Sequence, residues 1–231
     1  MLRVLTLSTL FPDASRPDFG RFVERQTQGL AALPDVEVKV VAARGLPPRP
    51  FDRLSRYAAL AAVPEREEWR GLDVLRPRFL NLPGSGGRLH GVLLTEALTP
   101  VLARLRATFA FDVIDAEFFF PDGPAAIALG RRFGVPVSIK ARGADISHWG
   151  RNPATAAAVR HAGRDADGLL AVSGALAEAM ADLGIPRERI QVHRTGVDHE
   201  QFAGHERAAA KAALGITGPL VVSVGALIPR K

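Results

Sequence analysis

Cysteine is absent from the 231 residues, which excludes disulfides, thiolate catalysis and cysteine-ligated metals and fits a cytoplasmic protein. Long apolar runs are absent too. The longest candidate, Pro219 to Pro229, spans eleven residues, short of the ~18 of a membrane span, and reads as a buried strand. The N-terminal M-L-R-V-L-T-L-S has one arginine and no small-residue cleavage site, which argues against a signal peptide. No G-x-G-x-x-G follows the first strand, and neither G-x-x-x-x-G-K-[ST] nor G-x-S-x-G occurs. A dinucleotide dehydrogenase, a P-loop NTPase and a nucleophile-elbow hydrolase each lack their signature. The six histidines show no metal-ligand spacing, so no metal site is expected.

What is present is globular. Hydrophobic residues make up 47% and charged residues 23%, with mean hydropathy +0.08, and the length suits one or two domains at roughly 150 residues each. The net charge is +6, and 26 of the 30 basic residues are arginine. The arginines are scattered. Their densest group, Arg44 to Arg56, is interleaved with proline rather than with stacking aromatics, so no nucleic-acid partner is expected.

Short β-rich runs alternate with helical patterns from the start. The predicted strands are Leu2–Ser8, Val36–Ala42, Leu72–Phe79, Asp112–Ala116, Val135–Ala141, Leu169–Val172 and Ile190–His193. The predicted helices are Gly20–Leu33, Leu54–Val63, Leu89–Phe109 (with Pro100 inside), Pro124–Phe133, Pro153–Ala166 and Ser173–Leu183, and Gly45–Arg56 reads as a loop. Such alternation predicts βαβ units and a doubly wound, Rossmann-like parallel sheet of the α/β class. Beyond Gly196 the pattern changes to a polar helix, His205–Leu214, and an apolar strand, Leu220–Gly225. That strand has no following helix to cover it. The expected division is residues 1–203 as one Rossmann-like domain and 204–231 as a linker helix and the first strand of a second domain.

Ligands of open parallel sheets bind outside the carboxyl ends of the strands. In the first such loop, Gly20 opens a helix, either as a turn glycine or to let phosphate approach backbone N–H groups. After the Asp112–Ala116 strand come Glu117, which could accept a hydrogen bond from a sugar hydroxyl or a substrate proton, and Asp122, expected to cap the next helix. Arg142 and Asp145 follow Val135–Ala141. They read either as an ion pair or as separate contacts, the arginine to an anion or hydroxyl and the aspartate to a sugar. Ser173 reads as a helix cap, and Gly196 permits a tight turn after Arg194.

In order along the chain, R-V-L-T-L-S, F-P, G-R-F-V-E-R-Q, F-F-F-P-D-G-P-A-A, R-G-A-D-I, A-D-G-L-L-A-V-S-G-A-L, L-G-I-P-R-E-R-I-Q-V-H-R-T-G-V-D and V-V-S-V-G-A-L-I-P-R-K resemble the N-terminal half of a family 4 glycosyltransferase. That family is of the retaining, two-domain GT-B type. The subgroup it is most similar to is the teichuronic-acid and exopolysaccharide type. The resemblance implies an N-terminal, acceptor-binding domain of an enzyme that passes a sugar from a nucleotide-sugar donor to a saccharide or lipid-linked acceptor. Configuration would be retained, with neither cofactor nor bound metal. It implies roles for Arg142, Glu117 and Asp145 near the reacting sugar, and for Gly20, Arg194, Gly196, Arg230 and Lys231 around the donor.

The pattern also departs from the family. Arg142 stands where many members carry histidine, and its pKa is too high for a general base. Asp115 and Glu117 replace a common H-A-H pair, Thr195 replaces asparagine, and Ala226 replaces a frequent arginine. The acidic E-x7-E segment of the second domain is missing, so these residues alone are expected to be an incomplete catalyst. The competing reading is a non-catalytic Rossmann-like domain that binds sugar or nucleotide. A basic acceptor domain is also compatible with peripheral contact to an anionic membrane.

Overall fold

A computed structural model describes residues 1–225. Its elements, in chain order, are β1 (Leu2–Leu7), α1 (Arg21–Ala31), β2 (Val36–Val41), β3 (Arg44–Leu46), α2 (Ser55–Ala61), β4 (Arg66–Trp69), β5 (Leu72–Leu75), β6 (Arg78–Leu80) and α3 (His90–Arg106). They continue with β7 (Val113–Ala116), α4 (Asp122–Phe133), β8 (Val137–Ala141), α5 (Ala156–Asp165), β9 (Gly168–Ala171), α6 (Gly174–Asp182), β10 (Ile190–Val192) and α7 (Arg207–Ala213).

Eight strands form one sheet in the order β10-β9-β8-β7-β1-β2-β5-β4. Every neighbouring pair is parallel except β4 with β5. The doubly wound α/β expectation therefore holds. Strands of a parallel sheet are covered on both faces and so read as apolar runs. Leu5, Leu7, Ile114, Ile139 and Leu169 enter one large core cluster with α3 to α6. Val40, Val74 and Leu72 join Val23 of α1 and Phe11 in a smaller cluster.

Two local expectations need correction. The single strand predicted over Leu72–Phe79 is two, β5 and β6. The chain leaves the large sheet at Arg76, whose N–H donates to the Glu65 carbonyl at 2.7 Å, and Pro77 has no N–H to continue a ladder. β6 instead pairs in a separate two-stranded sheet with β3, which overlaps the start of the Gly45–Arg56 segment read as loop. The sequence reading also omits β4, R-E-E-W, which turns onto β5 through Arg70 (φ 49°) and Gly71 (φ 83°). Two successive left-handed residues make the tight hairpin connection that suits strand twist.

The chain forms two compact units, Met1–Thr195 and a second beginning at Gly196. In the second, Glu206 caps α7 by accepting from the Ala209 N–H at 2.8 Å. The strand predicted over Leu220–Gly225 is not formed: these residues lie outside any strand, and Val221 and Val224 are more than nine-tenths exposed. Apolar sequence signals a strand only where neighbouring strands and helices supply partners. Among the described residues, no helix is long and apolar enough to cross a membrane.

Candidate active site

The sheet order fixes where a ligand can sit. From β1 the chain winds outward through β2 and β5. It then returns to β7 on the other side of β1 and winds the opposite way through β8, β9 and β10. The strand order reverses between β1 and β7, so a crevice opens beyond their carboxyl ends. The loops there carry the residues singled out from the sequence.

Glu117 lies just beyond β7, and its N–H donates to the Leu7 carbonyl of β1 at 3.0 Å. Its carboxylate is buried at 1% exposure and holds three donors. Gln26 Nε2 donates to Oε1 at 2.7 Å, Lys140 Nζ donates to the same oxygen at 3.4 Å, and Arg142 Nη2 donates to Oε2. Arg142 is fixed in turn: its Nε donates to the Glu117 carbonyl at 3.2 Å and Nη2 to Gln26 Oε1 at 3.1 Å. Its Nη1 lies 3.5 Å from Thr195 Oγ1. Phe22 packs its ring 5.1 Å from the Arg142 guanidinium carbon.

Register explains the meeting. Asp115 and Ala116 of β7 align with Ser138 and Ile139 of β8, so the next positions, Glu117 and Lys140, face each other across the strand ends. Gln26 reaches them from the second turn of α1.

The electrostatics follow from burial. Desolvation, helped by neighbouring Glu117, pushes the Asp115 carboxyl up to about 7. Burial lowers Lys140, against the opposing pull of Glu117 and Asp115. His193 is also lowered, first by burial and then by the Lys140 charge. Lys140 and Arg142 converge on the Glu117 carboxylate in a place where solvent screens their interaction little.

Of the two readings of Arg142 and Asp145, the ion pair is not formed; the guanidinium takes Glu117 instead. Asp145 is fully buried, and its carboxylate accepts from the backbone N–H groups of Phe119 (2.9 Å), Arg142 (3.0 Å), Gly143 (2.6 Å) and Ile146 (3.2 Å). It clasps the loop after β7 to the loop after β8. Both of its oxygens accept from backbone amides.

Asp122 also departs from its expected cap. It makes no side-chain cap of α4, which begins at Asp122 itself. Its Oδ2 accepts from the Thr9 N–H at 2.9 Å, tying the loop after β1 to α4, and burial pushes its carboxyl up to about 7. Ser173 does cap α6, accepting from the Leu176 N–H at 3.1 Å.

Gly20 precedes α1 with φ 76°, and a Cβ there would lie 2.4 Å from the Leu10 carbonyl oxygen. Tight backbone packing accounts for this glycine. Arg194 and Gly196 are exposed and follow β10 outside regular structure. Gly196 has open space around its Cα and needs no tight turn. Arg230 and Lys231 lie outside the described residues. Gln26 and Lys140 carry no assigned role in the sequence reading. The signal for Lys140 was its charge at the end of a buried strand; Gln26 stood in the G-R-F-V-E-R-Q motif, but its partners are remote in sequence and no spacing names them.

The description of Glycosyltransferase Family 4 matches residues 19–201. The chain belongs to this family. The match takes in α1, the strand ends on both sides of the crevice, and every member of the Gln26–Glu117–Lys140–Arg142 cluster. The chain is 26% identical over 241 residues to TuaC of Bacillus subtilis (strain 168), a protein named for glycosyl transfer in teichuronic acid biosynthesis. The alignment covers all of this chain and 60% of TuaC.

Among solved structures, HepE of Anabaena in complex with UDP-glucose superposes with a TM-score of 0.54 at 14% identity, covering 93% of this chain and 50% of that one. The UDP-N-acetylglucosamine 2-epimerase of Rickettsia bellii gives 0.50 at 14%, covering 84% and 45%. At such identity these likenesses speak to fold alone. The family 4 chain thus spans between about half and three-fifths of the proteins it matches.

Proposed function

We propose that this chain is the acceptor-side, N-terminal part of a retaining glycosyltransferase. In this reading it moves a hexosyl group from a nucleotide sugar to a hydroxyl of a saccharide or lipid-linked acceptor. The observation that carries the reading is Arg142, pinned by Glu117 and Gln26 at the strand-order reversal. As the donor bond breaks, negative charge grows on the departing diphosphate. Fixed cations aimed at that charge lower the barrier without reorganising. Arg142 is such a cation, and Glu117 holds it in place. No side chain in this cluster is free to act as a general base, which suits a mechanism driven by electrostatic stabilisation rather than by proton abstraction from the protein.

The remaining donor contacts, Arg230 and Lys231 among them, would come from the second unit and sequence outside the match to this chain. In this reading the reaction runs on the cytoplasmic side, at the membrane surface. In support, the segment before and into α2 presents Phe51 and Leu54 to solvent, flanked by exposed Arg49, Arg53 and Arg56. Asp52 between them is buried and paired with Arg78 at 2.7 Å, which holds the apolar and basic residues outward. Such a patch complements an anionic bilayer.

The test is to supply the product of the whole gene with UDP-, GDP- and ADP-sugars and with saccharide extracts of its own cell envelope. Sugar transfer from one of these donors is expected. Absence of both turnover and nucleotide binding across the panel would reject the enzyme reading in favour of a binding domain.

A further inference from the structure

One aromatic side chain of the crevice has no role in the core. Helix α1 turns Val23, Glu24 and Thr27 inward, and Phe22 belongs to neither core cluster. It is 39% exposed. Phe22 and Gln26 are one turn apart, a spacing that puts them on the same helix face. Gln26 bonds Glu117 and Arg142, and Phe22 lays its ring against the Arg142 guanidinium, 5.1 Å from its central carbon. That guanidinium is itself immobilised by Glu117, Gln26 and Thr195. The ring therefore rests against a fixed guanidinium while part of its surface meets solvent.

An exposed, preorganised aromatic surface costs little entropy to use. Its border here is polar: the Gln26 amide and the Thr195 hydroxyl meet the same guanidinium. A ligand matched to this surface has an apolar face and hydroxyls around its edge. A pyranose ring has both, with axial C–H groups on one face and hydroxyls at the rim. A hydrocarbon chain would meet apolar surface only at the ring.

We propose that Phe22 is the stacking platform for the acceptor sugar, with Arg142 as its fixed support. This rests on the transferase reading and names, within it, the residue that selects a ring-shaped acceptor. Saturation-transfer difference NMR on the 231-residue chain tests it, with the methyl glycosides of glucose, galactose and N-acetylglucosamine as probes and uridine as a separate probe. At least one glycoside is expected to show enhancement concentrated on the axial protons of one ring face. Phe22→Ala should reduce that enhancement at least fivefold, and Phe22→Trp should retain it, with thermal melts confirming that both variants fold.

The proposal is overturned if no glycoside responds, if the alanine variant matches wild type, if tryptophan fails as alanine does, or if only the uridine signal depends on Phe22. Turnover of nucleotide sugars by the whole gene product is measured independently. Turnover with an acceptor KM unaffected by Phe22→Ala rejects the platform alone. No turnover in any variant rejects the transferase reading and leaves the glycoside result to stand by itself.

Discussion

Glu117 and Arg142 reach each other from the ends of adjacent strands, and both side chains are at most 3% exposed. Gln26 of α1 bonds both and ties the pair across the strand-order reversal. Removing one partner of such a pair leaves a buried charge uncompensated, which typically costs about 3–5 kcal/mol. Glu117→Ala and Arg142→Ala are each expected to lose stability on that scale in urea unfolding. The double variant should lose less than the sum, giving a coupling energy of about 1–3 kcal/mol. Simple additivity would mean that the two side chains do not interact.

Asp145 is expected to behave as a structural clasp. Asp145→Ala strips the acceptor from the backbone N–H groups of Phe119, Arg142 and Gly143 (that of Ile146 keeps the Gly143 carbonyl), and a buried N–H left unsatisfied costs about 1–3 kcal/mol. Asn keeps one acceptor oxygen and should recover part of the loss. Urea midpoints for wild type, Ala and Asn should fall in the order wild type, Asn, Ala. Equal midpoints would show that the carboxylate does not bind the two loops.

Asp122 carries a pH signature. Its folded pKa of about 7 lies above the ordinary carboxylate value, so the folded state binds the proton more tightly than the unfolded state. Its favourable contribution is complete below about pH 4 and is lost as pH rises through about 7. Asp122→Asn still offers the Thr9 N–H an acceptor but cannot ionise. The stability of the variant relative to wild type should therefore rise by roughly 2 kcal/mol between pH 5 and pH 8. A difference that stays flat over that range would place the carboxyl pKa back in the usual region.

Gly20 should tolerate no side chain. With φ at 76° and the Leu10 carbonyl oxygen 2.4 Å from the position of a Cβ, Gly20→Ala combines backbone strain with overpacking, about 2–3 kcal/mol together. Thermal melts check this, and an unshifted melt would show that the loop after β1 can relax.

The alternation of apolar runs with helical patterns is a property of each segment alone, so helices α1 to α6 and the parallel strands of the large sheet were legible in sequence. The exceptions depended on partners. β4 exists because Arg70 and Gly71 fold R-E-E-W back onto β5, and β6 because Pro77 sends the chain to β3. Leu220–Gly225 has strand composition but no neighbouring strand among the described residues. The site was legible in its addresses and not in its pairings. Glu117, Arg142 and Asp145 all lie at strand ends as expected. Which carboxylate meets the arginine is decided by the β7–β8 register and by the approach of α1, and sequence spacing holds neither. Asp122 followed the same logic: a residue suited to capping found a stronger use 113 positions away at Thr9.

The central claim is that Arg142, held by Glu117, supplies fixed positive charge to glycosyl transfer. Its most direct test is the rate of sugar transfer per folded molecule for Arg142→Ala and Arg142→Lys in the product of the whole gene, with folded fractions measured in the same samples. The account predicts that alanine lowers kcat/KM at least ~100-fold, the scale of losing one stabilising group for developing negative charge. Lysine, which keeps the charge but not the fork that binds Glu117 and Gln26, should fall between. Transfer by the alanine variant at the wild-type rate per folded molecule would contradict it.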